Sequence, residues 1–300
     1  MSASRSSSPT VAVVGPGAIG TTIAAVLHRA GRTPMLYGRT ARQSVTLQDA
    51  DGTVVVPGPV RTDPDHVEGT VDLVILAVKS TQVGAAAPWL AALCHAGTVV
   101  CVLQNGVEQE HGVAPHVPHN PVVPGIVWFP AETQPDGSVR LRAPARLTLP
   151  DLPASRVVVA ALRGTACSVE LAEDYTSVAW RKLLQNAVAG LMVLSGRRSG
   201  MFRRADIAEL SLRYLREGLM VARAEGASLG DEVAEEIVEY FRASPANLGT
   251  SILADSEAGR ALEWDTRNGI IARRGAAHGI PTPVSDVVVP LLAAASDGPC

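Results

Sequence analysis

The chain has 300 residues, of which 47% are hydrophobic and 18% are charged, with a net charge of -3 and a mean hydropathy of +0.18. This balance argues against a nucleic-acid partner or an anionic membrane surface, because neither would meet a broad positive potential. The sequence contains no run of 18 apolar residues, so no membrane-spanning helix is expected.

The chain is long enough for two domains. Residues 1–9 (MSASRSSSP) are rich in serine and lack an apolar centre, which predicts a disordered lead-in and not a signal peptide. The four cysteines, Cys94, Cys101, Cys167 and Cys300, form no C-x-x-C pair. Unpaired thiols are typical of a reducing compartment, so we expect a cytoplasmic protein.

The first half of the chain alternates strand and helix patterns. Apolar runs predict strands at 10–14, 34–37, 72–78 and 99–103, and residues 18–30 predict a helix that ends at Gly31. Further strands are expected within 113–150, and 157–162 is predicted helical although its valines would also suit a strand. This alternation favours a Rossmann-type parallel sheet, so residues 10–173 are predicted to form an α/β domain.

The second half has a different pattern. Amphipathic periodicity predicts helices at 180–194, 206–225, 231–242 and 266–278. Residues 174–300 are therefore predicted to form an all-α domain. The apolar faces of these helices are compatible with a homodimer through this domain.

A glycine-rich loop follows the first predicted strand. Residues 15–20 match G-x-G-x-x-G, and the members of the loop are Gly15, Pro16, Gly17, Ala18, Ile19 and Gly20. A strand before the motif and a helix after it are the context in which this motif binds the pyrophosphate of a dinucleotide. The loop therefore predicts a nicotinamide dinucleotide cofactor.

The end of the second predicted strand indicates which dinucleotide is bound. NAD-binding proteins place an acidic residue there, whereas this chain has Arg39 and Arg42 and no acid over 36–42. A guanidinium can bind a 2′-phosphate through two hydrogen bonds, so Arg39 predicts NADPH. The alternative is that both arginines are ordinary surface charges.

Several segments together resemble the ketopantoate reductase (2-dehydropantoate 2-reductase) family over about residues 10–290. They are the glycine loop, 78–80 (VKS), 103–106 (LQNG), 180–186 (WRKLLQN), 251–255 (SILAD), 263–265 (EWD), 268–269 (NG) and 278–283 (HGIPTP). The resemblance implies a Rossmann domain joined to a helical domain, with the active site in the cleft between them. It implies NADPH-dependent reduction of 2-dehydropantoate to D-pantoate, a step of pantothenate biosynthesis.

The resemblance also implies roles for individual residues. Lys182 matches the catalytic lysine, and Glu263 matches a glutamate that hydrogen-bonds the substrate. Asn105 matches a residue that contacts both substrate and cofactor, and Lys79 matches a lysine near the nicotinamide. Substrate-binding positions are matched by Asn186 and Ser251.

The chemistry of a ketone reduction is consistent with these residue types. Hydride attack on the C2 carbon builds negative charge on the ketone oxygen, and a lysine ammonium can stabilise that charge and donate a proton. Lys182 and Asn186 are four residues apart, so both are expected on one face of a helix. The C4 hydroxyl of the substrate needs an acceptor, which an ionised Glu263 would provide.

The chain departs from the family pattern at two positions. Gly190 and Leu248 stand where the family commonly has an asparagine or a similar polar residue, although Asn247 lies one residue away from Leu248. Both changes would make the substrate pocket less polar. Two alternatives therefore stay open: reduction of another small 2-oxo acid to a D-2-hydroxy acid, and a non-catalytic protein that senses NADP(H).

The sequence contains two further clusters, one of histidines and one of arginines. His111, His116 and His119 lie in a proline-rich stretch with no acidic or thiol ligand beside them, so no metal site is expected. The four arginines of residues 197–204 could be a solvated helix edge or could attract an anionic cofactor.

Overall fold

A computed structural model describes residues 8–297 of the chain. Residues 1–7 of the predicted lead-in and Cys300 lie outside the described residues. The chain divides into two compact units. The first holds the residues up to Gln104 together with Glu108–Tyr175, and the second holds Asn105–Val107 together with the residues from Thr176 onward.

The first unit contains all the described strands. In chain order they are β1 (Val11–Val14), β2 (Met35–Tyr37), β3 (Arg42–Asp49), β4 (Gly52–Arg61), β5 (Val71–Leu76), β6 (Cys94–Val102), β7 (Val122–Pro124), β8 (Ile126–Val127), β9 (Ala131–Thr133), β10 (Val139–Leu141), β11 (Ala145–Pro150) and β12 (Cys167–Ala172).

Nine of these strands form one sheet in the order β7-β6-β5-β1-β2-β4-β3-β10-β9. All neighbours from β7 to β4 are parallel, whereas β3 runs antiparallel to β4 and β9 runs antiparallel to β10. A second sheet has the order β12-β11-β8. Because β1 lies at the centre and its neighbours are parallel, the carboxyl ends of β1, β2 and β4 share one edge of the sheet.

The parallel sheet is buried on both faces. Val11 and Val13 of β1 belong to one hydrophobic cluster, and the alternate residues Ala12 and Val14 belong to another. Alternate side chains of a strand point to opposite faces, so helices must cover both sides. The helices of this unit are α1 (Ala18–Arg29), α2 (Val83–Leu93), α3 (Gln109–Val113) and α4 (Ser155–Leu162).

Among its described residues, the regular secondary structure of the second unit is entirely helical. It contains α5 (Tyr175–Ser195), α6 (Ala205–Ala224), α7 (Glu232–Ala243), α8 (Ser251–Glu257), α9 (Ile270–Ala277) and α10 (Ser285–Asp297). A π-helical turn, Asp265–Gly269, leads into α9. One hydrophobic cluster holds these helices together, and Trp180, Tyr214, Phe202 and Phe241 are its largest members.

The fold class predicted from the sequence is confirmed. The four predicted strands and the predicted helices of the second half are present within a few residues of their expected ends. The hairpin β3–β4 was missed, although its turn at residues 49–52 contains the D-G pair that favours a tight connection. α8 and α10 were also missed, because each carries too little apolar periodicity to be recognised alone.

Candidate active site

The glycine loop of the first unit has the backbone that its sequence requires. Gly15 has φ of +88°, and a Cβ atom there would lie 2.6 Å from Val78 Cγ1. A Cβ atom on Gly20 would overlap the carbonyl oxygen of Gly15. Side chains at these two positions are therefore excluded by the fold itself.

Gly17 is different, because a Cβ atom there would meet nothing within 4 Å. It is exposed and precedes the first turn of α1, which has no acidic residue and no side-chain cap. The free N–H groups at a helix N-terminus attract phosphate, and the absence of a side chain lets a ligand approach the backbone. The loop therefore fits the pyrophosphate of a dinucleotide.

Arg39 lies at the edge of the sheet next to this loop. The backbone N–H of Gly38 donates to the carbonyl oxygen of Arg61 at 2.9 Å, and a Cβ atom on Gly38 would lie 3.0 Å from Pro16 Cδ. Tyr37 and Arg61 are register partners of the parallel pair β2–β4. Arg61 thus ends β4, and Arg39 follows the end of the neighbouring strand β2 beside the glycine loop.

These arginines lack acidic partners. Among residues 8–297, the guanidinium groups of Arg39, Arg42 and Arg61 make no ion pair, and Arg39 and Arg42 are exposed. Many other arginines of the chain are paired, as Arg29 is with Asp49. Sequence reasoning missed Arg61, which would have been found by recognising β4 and placing its carboxyl end beside that of β2.

Lys79 lies three residues beyond the end of β5 and is half-buried. Its backbone N–H donates to Gln82 Oε1 at 3.2 Å, and the neighbouring carbonyl of Val78 accepts from Gln104 Nε2 at 2.9 Å. These bonds hold the segment that follows β5 in place. Lys79 therefore sits at the same carboxyl edge of the sheet as the glycine loop.

In the second unit, three residues that the sequence predicted for substrate binding lie in one hydrogen-bonded chain. Asn186 Nδ2 donates to Asn105 Oδ1 at 3.3 Å, and Asn105 Nδ2 donates to Glu263 Oε2 at 3.1 Å. All three side chains are half-buried. The arrangement brings donors and acceptors from distant parts of the chain to one place.

Gly106 makes this approach possible. It has φ of +106°, and a Cβ atom there would lie 3.0 Å from the carbonyl oxygen of Thr266. Glycine alone tolerates both the backbone conformation and the close contact. The Asn105-Gly106 pair is therefore a turn that also delivers the asparagine side chain to Glu263.

Ser251 joins the same region through Arg267, which sequence reasoning did not single out. Arg267 Nη1 donates to Ser251 Oγ at 3.0 Å, and Arg267 Nη2 lies 3.4 Å from the carbonyl oxygen of Asn186. Arg267 is only 2% exposed. The available signal was its helical spacing from Trp264, three residues before it, and Ile271, four residues after it, which places it on an apolar face.

Lys182 lies on α5, one turn before Asn186, and both are half-buried. This confirms the helix on which they were expected. Gly190, two turns after Lys182, is buried, and a Cβ atom there would lie 3.0 Å from both Asn268 Nδ2 and Leu292 Cδ1. Asn268 and Leu292 are fully buried, so a side chain added at position 190 would press against the helical core.

Leu248, Asn247 and the arginines of residues 197–204 lie in the helical unit. Leu248 is partly buried and Asn247 is exposed. Arg198 pairs with Glu257 at 2.7 Å, and Arg204 pairs with Asp206 at 2.7 Å. These pairs favour a surface role for the basic group over attraction of a cofactor.

Residues 8–297 contain neither a metal-binding cluster nor a membrane-spanning helix. His111, His116 and His119 are exposed, and this part of the chain holds no group of three His, Cys, Asp or Glu side chains able to bind a metal ion. No helix among the described residues has the length and apolar character needed to cross a bilayer.

Comparison with known proteins connects both units to one family. The family described as "Ketopantoate reductase PanE/ApbA" matches residues 11–154, and its C-terminal part matches residues 174–296. A 2-dehydropantoate 2-reductase from Mycobacterium tuberculosis is 59% identical over 290 residues, which are 96% of this chain and 98% of that protein. One from Caulobacter vibrioides is 34% identical and covers 95% of this chain and 99% of its own length.

A solved structure of a ketopantoate reductase has the same fold as this chain. The dimeric ketopantoate reductase from Staphylococcus aureus superposes with a TM-score of 0.87 at 26% identity, over 96% of this chain and 99% of that one. Two family matches that together span both units, and a close relative over almost the whole length, show the family. The chain therefore belongs to the ketopantoate reductases, oxidoreductases that act on CH–OH groups.

Proposed function

We propose that this protein reduces 2-dehydropantoate to D-pantoate with NADPH, a step of pantothenate biosynthesis. The observation that carries the proposal is the hydrogen-bonded chain through Asn186, Asn105 and Glu263. It gathers three half-buried polar side chains from distant parts of the sequence at one place in the helical unit. The relatives named 2-dehydropantoate 2-reductase support the same substrate.

The cofactor preference is inferred from the sheet edge of the first unit. Arg39 and Arg61 carry unpaired positive charge beside the glycine loop, within the part of the chain that the structure describes. A 2′-phosphate would supply the missing anion, whereas the 2′-hydroxyl of NADH would leave both guanidinium groups without one. When bound, the reduced nicotinamide supplies the hydride.

Lys182 is proposed as the proton donor. Its ammonium group stabilises negative charge on the C2 oxygen and then donates a proton to that oxygen, which completes the alcohol. The lysine regains its proton from solvent. Its position one turn from Asn186 supports this role, because side chains four residues apart lie on one helix face.

Glu263 and the amides are proposed to orient the substrate. Asn105 Nδ2 donates to Glu263 Oε2, which leaves Oε1 to accept from the C4 hydroxyl of 2-dehydropantoate. Asn186 and the exposed hydroxyl of Ser251 are available for the carboxylate and the ketone oxygen. Orientation of this kind lowers the barrier by holding the reacting carbon in place.

A homodimer through the helical unit is also proposed. An apolar groove of about 370 Å³ is lined by residues that include Leu191, Leu194 and Met201. Val287 and Leu291 of α10 border it and are 60% and 52% exposed. Burying such a patch is favourable, and the Staphylococcus aureus relative is dimeric. Light scattering of the wild type and of Leu291→Asp would test the proposal.

The free thiols of Cys94, Cys101 and Cys167 support a cytoplasmic location.

The test of the proposed function is an absorbance assay of nicotinamide oxidation. The wild type is mixed with NADPH and 2-dehydropantoate, in parallel with NADH and with a panel of other 2-oxo acids. We expect turnover of 2-dehydropantoate with NADPH, weak turnover with NADH, and a loss of at least a hundredfold in kcat for Lys182→Ala.

Other results would change the conclusion. Turnover of a different 2-oxo acid alone would favour a related D-2-hydroxy acid enzyme. Binding of NADPH without turnover of any substrate would favour a sensor. A Lys182→Ala variant with unchanged kcat would remove the lysine from its proposed role.

A further inference from the structure

Arg267 is a buried cation in the helical unit. Its side chain is 2% exposed, and its Nε atom is buried without a hydrogen-bond partner. Transfer of a guanidinium from water into a protein interior is costly, and an apolar side chain of similar volume is often the more stable choice. A stabilising role in the core therefore does not explain why arginine stands at this position.

The charge of Arg267 persists at neutral pH. Burial lowers the pKa of this guanidinium to about 10, and the carboxylates of Glu263 and Asp255 oppose that effect. The group is consequently protonated under ordinary conditions. It places a fixed positive charge behind the residues proposed to bind an anionic substrate.

Arg267 contacts two of the residues that are proposed to bind the substrate, Ser251 and Asn186. Its Nη1 donates to Ser251 Oγ at 3.0 Å, and its Nη2 is directed to the carbonyl oxygen of Asn186 at 3.4 Å. A hydroxyl that accepts from a guanidinium keeps its own proton for another acceptor. Ser251 is exposed, so that proton is available to a ligand.

The backbone around Arg267 is adapted to this placement. The turn Asp265–Gly269 is π-helical, and the N–H of Ile270 reaches the carbonyl of Asp265. A π-helical turn inserts one residue into a helix and rotates the neighbouring side chains, and such turns are frequent at functional sites. In this chain the rotation accompanies an arginine directed into the interior.

We propose that Arg267 is a positioning residue that holds the Ser251 hydroxyl as a donor to the carboxylate of the 2-oxo acid. The proposal extends the proposed function, since it assigns the carboxylate end of that substrate to Ser251. Arg267 does not touch the substrate. Its effect on substrate binding therefore depends on the Ser251 hydroxyl.

A double-mutant cycle with a non-reducible ligand tests the proposal. Oxamate keeps the carboxylate and the adjoining carbonyl of a 2-oxo acid and has an amide nitrogen in place of the carbon side chain. Its Kd is measured by calorimetry on the NADPH-loaded protein. The variants are Arg267→Met, Ser251→Ala, the double variant and Arg267→Lys. We expect Arg267→Met to raise the Kd at least tenfold in the wild-type background and less than threefold in the Ser251→Ala background.

The controls separate positioning from folding. Arg260 is exposed and pairs with Asp255 at 2.8 Å, so Arg260→Met makes the same substitution beside the same carboxylate and should change the Kd less than twofold. Arg267→Lys keeps the charge and should recover part of the affinity that Arg267→Met loses. It replaces Arg267→Met in the cycle if that variant does not fold. The Kd of NADPH should change less than twofold in every variant.

Two results would overturn the proposal: an equal fold-change for Arg267→Met in both backgrounds, or a wild type that does not bind oxamate. Failure of the proposed function gives a different result. In that case the wild type would not reduce 2-dehydropantoate, while oxamate binding would still depend on Arg267 through Ser251.

Discussion

Asn105 and Glu263 are 158 residues apart in the chain, and their side chains form a 3.1 Å hydrogen bond in the helical unit. The amide donates, so the bond requires an acceptor at position 263. Asn105→Asp would remove the donor and place a second carboxylate against Glu263, and the two like charges would repel each other. We expect at least a thirtyfold loss of kcat/KM for 2-dehydropantoate.

This variant should recover as the pH falls. Once the new carboxyl is protonated it can donate to Glu263, so the ratio of variant to wild-type kcat/KM should rise between pH 8 and pH 5. Asn247→Asp is the matched control, because Asn247 is exposed and, among the described residues, forms no hydrogen bond with Glu263. A ratio that does not vary with pH would exclude the repulsion as the cause.

Two glycines of the cofactor loop should respond differently to alanine. A Cβ atom on Gly17 meets nothing in the protein, so Gly17→Ala should leave the melting temperature within about 2 °C of the wild type. It should nevertheless raise the Kd of NADPH at least tenfold, because the methyl group occupies the space that the pyrophosphate needs. Fluorescence titration and thermal unfolding measure the two effects.

Gly20→Ala is the complementary variant. Its Cβ atom would overlap the carbonyl oxygen of Gly15, so both the fold of the loop and cofactor binding should be lost. Overpacking of this kind costs about 1–3 kcal/mol or more. Equal stability of the two variants would show that the loop relaxes around an added methyl group.

Arg61 should contribute to the preference for NADPH together with Arg39. Each single change, Arg39→Ala or Arg61→Ala, should raise the Kd of NADPH at least fivefold and leave the weak Kd of NADH within twofold. Arg163→Ala removes the same charge from an exposed site and should affect neither. If Arg61→Ala weakened NADPH and NADH equally, the residue would not contact the 2′-phosphate.

The buried thiols should resist modification in the folded protein. Burial raises the pKa of Cys101 and of Cys167 from the ordinary value of 9.0 to about 12. Only about one thiol in 10⁴ is then ionised at pH 8, and the thiolate is the form that reacts. Iodoacetamide at pH 8 should label both residues only after unfolding, which peptide mass spectrometry would show.

The same shift gives a sign for the pH dependence of stability. Above pH 9 the unfolded chain loses thiol protons that the folded chain keeps. The contribution of both thiols is therefore complete below pH 9 and is lost as the pH rises toward 12. Cys101→Ser and Cys167→Ser should reduce the slope of the free energy of unfolding against pH in this range.

Glu217 should be a large contributor to the stability of the helical unit. It is 4% exposed, and its carboxylate accepts from the backbone N–H groups of Val284 and Ser285 at 2.8 and 2.7 Å and from the Ser285 hydroxyl. These bonds satisfy donors at the start of α10. Glu217→Gln replaces one acceptor with a donor, which should cost about 1–3 kcal/mol in urea unfolding.

Glu209→Gln is the control for this change, since Glu209 is an exposed residue of the same helix α6. It should alter the free energy of unfolding by less than about 0.5 kcal/mol. Equal effects of both variants would mean that the carboxylate at 217 acts through the overall charge of the chain and not through its hydrogen bonds.

The elements of this protein could largely be predicted from local pattern. The apolar strand at Val11–Val14, the glycine loop and the long helices after residue 174 follow from periodicity and from residues with restricted conformations. Arg39 was identified in the same way, because the end of a second strand is a known position in this fold. Such features depend on neighbours within a few residues of sequence, so a single sequence is enough to predict them.

Only the tertiary structure decided which distant residues meet. The bond between Asn105 and Glu263, the pairing of β2 with β4 that brings Arg61 beside Arg39, and the burial of Arg267 all depend on packing over more than 15 residues of sequence. The same holds for Gly190, which faces the buried Asn268. Local periodicity states which face of a helix is apolar, but the packing of other helices against that face determines what each side chain contacts.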